Sequence, residues 1–137
     1  MIRHAEESDR EFWLAVDRHL PEAEFDRKVQ LRRAYVLIEG EKRAALLRYN
    51  LFWDSIPFCT LLYVLEDARG RGCGKALIEH WEQEMKALGC DLVMTSTQAD
   101  EGAQHFYRKL GYRDCGGFVL PFNGYEQPTE LILAKRL

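Results

Sequence analysis

Phe58-Cys59-Thr60-Leu61-Leu62-Tyr63-Val64-Leu65, followed after three residues by Arg69-Gly70-Arg71-Gly72-Cys73-Gly74-Lys75-Ala76 and then by Leu77, Trp81, Met85 and Leu88, decides the architecture. The first run is apolar and β-favouring, which reads as a strand near the centre of a sheet, buried on both faces. The last four residues share one face of a helix, with Glu79, Glu82 and Lys86 elsewhere and Gly89 placed to end it in the left-handed conformation. Between strand and helix lie three glycines interleaved with Arg69, Arg71 and Lys75. The first amides of a helix have no partner within it, and the macrodipole adds about half a positive charge there. A turn of this kind binds anions, phosphates above all, because glycine lets the backbone approach and basic side chains add charge-assisted bonds.

Spacing separates this turn from two better-known phosphate loops. A nucleotide-hydrolase loop has four residues between its first glycine and a Gly-Lys pair, then Ser or Thr; Gly70 to Gly74 leaves three, and Ala76 follows Lys75. A dinucleotide fingerprint has glycine at its first, third and sixth places, and counting from Gly70 the sixth is Lys75.

Working outward, Ile2 to His4 reads as a short strand, and Ser8 with Glu11 offers a capping box for a helix carrying Phe12, Val16 and Leu20. Pro21 ends that helix and precedes a second over Glu22 to Leu31. Tyr35 to Ile38, a turn at Glu39 to Lys42, and Ala44 to Trp53 read as a hairpin, with a further turn at Asp54 to Pro57. On the other side of the decisive stretch, Asp91 to Ser96 is a strand. Thr97 and Asp100 are a second capping signal, for a helix bearing Ala103, Phe106, Tyr107 and Leu110 that closes at Gly111. Tyr112 to Leu120 and Glu130 to Lys135 complete the strands. Strands alternating with helices give an α/β (α+β) fold class, and 137 residues give one domain spanning 1–137.

Composition excludes several classes of function. Nineteen Lys plus Arg against 22 Asp plus Glu leave a net charge of −3, so bulk positive charge holds no nucleic acid. The longest apolar runs, such as Leu61 to Leu65, fall far short of the roughly twenty residues of a membrane-spanning helix. Early acids at Glu6 and Glu7 break any secretory signal, which points to the cytoplasm. Cys59, Cys73, Cys90 and Cys115 lie far apart, so reduced thiols are expected, with no metal knuckle and no disulfide framework.

Arg69, two residues, Gly72, one residue and Gly74 match the Arg/Gln-x-x-Gly-x-Gly/Ala signature of the GCN5-related N-acetyltransferases (GNAT family), which this chain resembles. A second match lies at Ala103, Phe106, Tyr107, Lys109, Leu110, Gly111 and Tyr112, similar to the family's Ala-x-x-Phe-Tyr-x-Lys-Leu-Gly-Phe/Tyr. The resemblance is close from Phe58 to Gly111 and rests on element order elsewhere. It implies a mixed central sheet splayed between the fourth and fifth strands, flanked by helices on both faces, with acetyl-CoA as cosubstrate and no metal. It further implies that the amides of Arg71, Gly72, Cys73, Gly74, Lys75 and Ala76 receive the pyrophosphate, aided by Arg69. Main-chain groups of Leu62, Tyr63 and Val64 would pair with the pantetheine arm. A homodimer through the C-terminal strands is suggested by the same resemblance. Many members carry Asn where this chain has Asp100, so both cofactor contact and helix capping stay open there.

Acetyl transfer to an amine asks for a neutral nitrogen, donors for the developing oxyanion and an acid for the leaving thiolate. Tyr107 is the candidate acid: a phenol of pKa about 10 is protonated at neutral pH and hydrogen-bonds a thiolate. The strand near Tyr63 would supply the oxyanion donor. The base is unassigned among Glu22, Glu24, Asp26, Asp54, Glu66, Asp67, Glu126 and water, and His80 and His105 read as surface or interhelical residues. Aromatic and acidic residues of the N-terminal helices, the Trp53–Asp54 turn and the loop of Phe122, Asn123, Gly124 and Tyr125 suit a cationic amine acceptor. Phe25, Phe52, Trp53 and Phe118 are otherwise expected in the core. The expected activity is acetyl-CoA-dependent N-acetylation of a small-molecule or protein amine. The rival is a non-catalytic acyl-CoA-binding sensor, separable by turnover.

Overall fold

The computed structural model describes residues 1–137. Its elements are β1 Ile2–His4, α1 Arg10–Val16, α2 Glu22–Gln30, β2 Ala34–Glu39, β3 Lys42–Phe52, β4 Ile56–Val64, α3 Cys73–Ala87, β5 Leu92–Gln98, α4 Ala103–Lys109, β6 Arg113–Phe118 and β7 Glu130–Arg136. Short 3₁₀ turns precede α1 at Glu7–Asp9 and follow β4 at Glu66–Ala68. The strands form one mixed sheet in the order β1-β2-β3-β4-β5-β7-β6. The β4–β5 pair is parallel, with Phe58 opposite Met94 and Cys59 opposite Thr95. Two compact units are built from it: Met1–Asn50 with Leu61–Trp81, and Leu51–Thr60 with Glu82–Leu137.

In the first unit, β2 and β3 carry helices on both faces. Their antiparallel register sets Val36 opposite Leu46 on one face and Tyr35 opposite Leu47 on the other. Against the Val36–Leu46 face pack Trp13 of α1 and Phe25 of α2, both fully buried with rings 5.8 Å apart. On the opposite face Tyr35 meets His80 edge-on at 5.8 Å and Tyr49 meets Trp81 at 5.8 Å, which seats α3. His80 thus packs on the sheet, where a surface or interhelical place was expected.

Buried polar side chains stitch this unit together and explain where the helices stop. Asp9 is fully buried, accepts from Arg3 at 2.7 and 3.0 Å and from Arg43 at 2.7 Å, and takes the Glu6 amide at 2.8 Å. The capping box is therefore Glu6 with Asp9, not Ser8 with Glu11, because Asp9 has two arginines to neutralise it. The first helix ends at Val16, before Pro21, because the buried Asp17 carboxylate accepts from Trp13 Nε1 at 3.1 Å and Arg48 Nε at 2.6 Å. Pro21 instead caps the start of α2.

In the second unit, Val93, Thr95 and Thr97 of β5 turn inward, opposite Lys135, Leu133 and Leu131 of β7. There Glu82 at the α3 end accepts from Tyr112 Oη and Lys135 Nζ, both at 2.8 Å. The β4 pattern alternates instead of being buried on both faces: Pro57 and Cys59 are buried while Phe58 is only half-buried. Phe52, Trp53 and Phe118 also leave the core, at 38, 78 and 46% exposed, so of the four aromatic residues expected inside only Phe25 is. Trp53 and Asp54 sit at φ +52° and +61° in a tight turn closed by the Ser55 amide on the Phe52 carbonyl, a geometry that favours Asn-Gly. At the sheet margin β6 is exposed throughout, and its register with β7 shifts between Asp114 and Gly117.

Candidate functional site

The glycine turn takes its shape from two left-handed residues, Gly70 at φ +79° and Gly72 at φ +82°. A side chain at either would be strained, although nothing stands within 4 Å of where a Cβ would be. Ala76 makes the first helical bond, its amide to the Gly72 carbonyl at 2.9 Å. The amides of Gly72, Cys73, Gly74 and Lys75 thus precede the ladder, at the positive end of a 15-residue helix. Ala76 leaves the expected set of phosphate donors, since its N–H is committed to the helix.

The basic side chains of the turn are engaged within the protein. Arg69 Nε donates to the Val64 carbonyl at 2.9 Å, and its guanidinium lies 5.5 Å from the Tyr63 ring centroid. Arg71 Nη1 donates to the Asp67 carbonyl at 3.0 Å and Nη2 to Glu39 Oε1 at 2.5 Å. Lys75 has only a 3.9 Å approach to Glu79 and is exposed. Among the strand residues expected at the pantetheine, Leu62 and Val64 are half-buried and Tyr63 is exposed, with the Val64 carbonyl already held by Arg69. Cys73 is buried at the helix start; burial and the nearby negative charge of Glu39 push the thiol up. It is therefore no thiolate nucleophile at neutral pH.

Tyr107, in the second unit, is only 5% exposed and sits edge-on to Phe106 at 5.2 Å and Tyr112 at 5.3 Å. Its hydroxyl neighbours Thr95, whose own Oγ1 donates to the Cys59 carbonyl at 3.2 Å. Burial, and then the neighbouring Cys59, push the Tyr107 pKa well above the usual phenol range, against a smaller opposing effect of Thr95. The group is a neutral hydrogen-bond donor across ordinary pH. Asp100 lies exposed in the turn before α4 and caps nothing: Gly102 is the N-cap, and Gln104 Nε2 closes the turn on the Ala99 and Glu101 carbonyls at 2.8 and 3.1 Å.

Residues 2–112 match the family described as the acetyltransferase (GNAT) family. The chain belongs to the GNAT family. Solved GNAT-type structures share its fold across nearly the whole length. The Ard1 structure from Thermoplasma volcanium matches with TM-score 0.84 at 14% identity, covering 100% of this chain and 97% of that one. The ribosomal-protein-S18-alanine N-acetyltransferase from Escherichia coli gives 0.78 at 20% identity, covering 99% and 92%. A Bacillus subtilis acetyltransferase in complex with CoA gives 0.77 at 20% identity, covering 99% and 97%. No curated protein matches in sequence. Against the GNAT expectation, two groups are additions: Thr95, the neighbour of the Tyr107 hydroxyl, and Glu39, the partner of Arg71. The inward alternation of Val93, Thr95 and Thr97 marks Thr95 as a buried polar residue. Glu39 carries no local signal, because its partner is 32 residues away.

Proposed function

We propose that the chain is an acetyl-CoA-dependent N-acetyltransferase that moves the acetyl group to a primary amine of a small molecule or protein by direct attack within a ternary complex. The observation that carries this reading is the glycine turn, with its row of amides ahead of the Ala76–Gly72 bond at the start of α3. The amides of Arg71, Gly72, Cys73, Gly74 and Lys75 take the pyrophosphate, and main-chain groups of Leu62 and Tyr63 take the pantetheine arm. Arg69 supports the same strand end through Val64. The Bacillus subtilis neighbour in complex with CoA and the Escherichia coli N-acetyltransferase support the donor and the amine class of acceptor.

The acceptor enters as a neutral amine, its nitrogen forms the new bond to the carbonyl carbon, the carbon–sulfur bond breaks with its electron pair on sulfur, and the proton shed by the nitrogen passes to water. An amide near Tyr63 meets the developing oxyanion. Tyr107 shifts its hydroxyl from Thr95 to the departing sulfur, and its strongly held proton makes it a hydrogen-bond donor to the thiolate rather than a free acid. The burial of Tyr107 is also what a non-catalytic acyl-CoA sensor would show, with the ring as packing. Both readings predict that coenzyme A raises the melting temperature. Thiol release from acetyl-CoA across a panel of amines separates them: turnover establishes the transferase, and tight binding without turnover establishes the sensor.

A further inference from the structure

We infer that Glu39 is a positioning residue for the phosphate turn, acting through Arg71 to hold the amides of α3 in a binding-ready arrangement before coenzyme A arrives. This rests on the functional reading above. The turn has little of its own to fix it. Arg71 stands between Gly70 and Gly72, both left-handed and both with open space where a side chain would be. Two of the bonds that restrain the segment are local, Arg69 Nε to the Val64 carbonyl and Arg71 Nη1 to the Asp67 carbonyl. The bond from Arg71 Nη2 to Glu39 is different: Glu39 is the last residue of β2, so the bond fastens the turn to the sheet.

The same carboxylate lies beside the thiol of Cys73, the first residue of α3, so Glu39 neighbours the chain on both sides of Gly72. The Arg71 guanidinium is the main cause of a lowered Glu39 pKa, which keeps the carboxylate charged throughout the neutral range. Arg71 also lines, with Glu39, Glu41, Asp67 and Leu65, a cleft of about 670 Å³ on the side of the β2–β3 turn. Its side chain is therefore an anchor toward the hairpin, and the backbone amides are left to bind phosphate. An array of donors ordered in advance binds more tightly, because the ordering cost is met during folding.

Electrostatics alone predicts the opposite sign, since removing a carboxylate near a diphosphate favours the anion. Titration of coenzyme A into Glu39→Ala, Glu39→Gln, Arg71→Ala and the double variant decides between them. The expected result is that Glu39→Ala weakens binding about 3- to 10-fold, the scale of ordering one or two side chains. Glu39→Gln, which keeps the acceptor oxygen, should lose less, and Glu39→Ala with Arg71→Ala should be no weaker than the poorer single variant. The KM for acetyl-CoA rises while kcat holds. If Glu39→Ala does not fold, the exchanged pair Glu39→Arg with Arg71→Glu is expected to recover affinity lost in either of its single changes. Equal or tighter binding by the Glu39 variants, or losses that add in the double variant, overturns the inference. Wild-type protein that fails to bind coenzyme A overturns the functional reading as well.

Discussion

Lys28 Nζ, on a side chain buried between α2 and β3, donates at 2.7 Å to the carbonyl of Tyr49 and also bonds Asn50 Oδ1. Burial, with Arg48 and Arg33 nearby, lowers its pKa from 10.5 to about 8. Between those two values the unfolded chain holds a proton that the folded one has released, so stability rises with pH through this window. Each tenfold change in proton affinity is worth about 1.4 kcal/mol, and relaxation around the amine reduces the total, leaving a gain of about 1–2 kcal/mol. Urea unfolding at pH 7 and pH 10, compared with Lys28→Met, is the check: the variant should lose this rise.

At the acid end the controlling group is Asp9. Burial works against its charge, but hydrogen bonds from Arg3, the Glu6 amide and Arg43 outweigh that and bring the pKa down to about 2. Its contribution is complete above the unfolded value of 3.8 and fades as pH falls toward 2. Asp9→Asn should cost about 1.5–3 kcal/mol at pH 7, the range for hydrogen bonds to a charged group. It should also flatten the melting temperature between pH 4 and 2, as followed by circular dichroism.

Tyr107→Phe keeps the ring against Phe106 and Tyr112 and removes only the donor. Turnover is expected to fall about 10²-fold, the scale for losing one preorganised hydrogen-bond donor to developing negative charge, with the KM for acetyl-CoA little changed. Since burial holds the phenolic proton far above neutral pH, kcat should show no alkaline decline from this group up to pH 9. A steady-state profile of both proteins tests the rate and the limb together; equal rates reduce Tyr107 to packing.

Gly72→Glu places a carboxylate beside the amides of α3, in a backbone conformation that costs a side chain about 1–2 kcal/mol. Coenzyme A affinity should drop more than 10²-fold by calorimetry, and the melting temperature by only a few degrees. Retained affinity would remove the turn from the binding site.

The Trp53–Asp54 turn offers a gain. Both residues are left-handed, Trp53 is 78% exposed, and little packing is lost with it. Replacing the pair with Asn-Gly should stabilise the fold by about 1 kcal/mol in urea, by relieving strain.

Legibility in the sequence follows the range of each interaction. The Arg69-to-Ala76 turn, the α3 face and the Tyr107 motif are read within a few residues, and they carry the family resemblance. The end of α1 is not readable locally, because Asp17 is fixed by Arg48, 31 residues on. Asp100 suggests a cap by its spacing, yet Gln104 serves the turn instead, a choice made by side-chain reach. The exposure of Phe52, Trp53 and Phe118 escapes a reading by residue type, since hydrophobicity says what is stable inside and not which sheet face a helix covers.

The break in register along β6 bears on the fate of the folded chain at high concentration. An outermost strand ordinarily offers an uninterrupted row of amide and carbonyl groups to any extended neighbour. Here Gly116, at φ +103°, and the shift between Asp114 and Gly117 interrupt that row midway. A stranger's backbone finds no continuous track to zip onto, and this rim is protected from runaway stacking into fibrils without any cover over it.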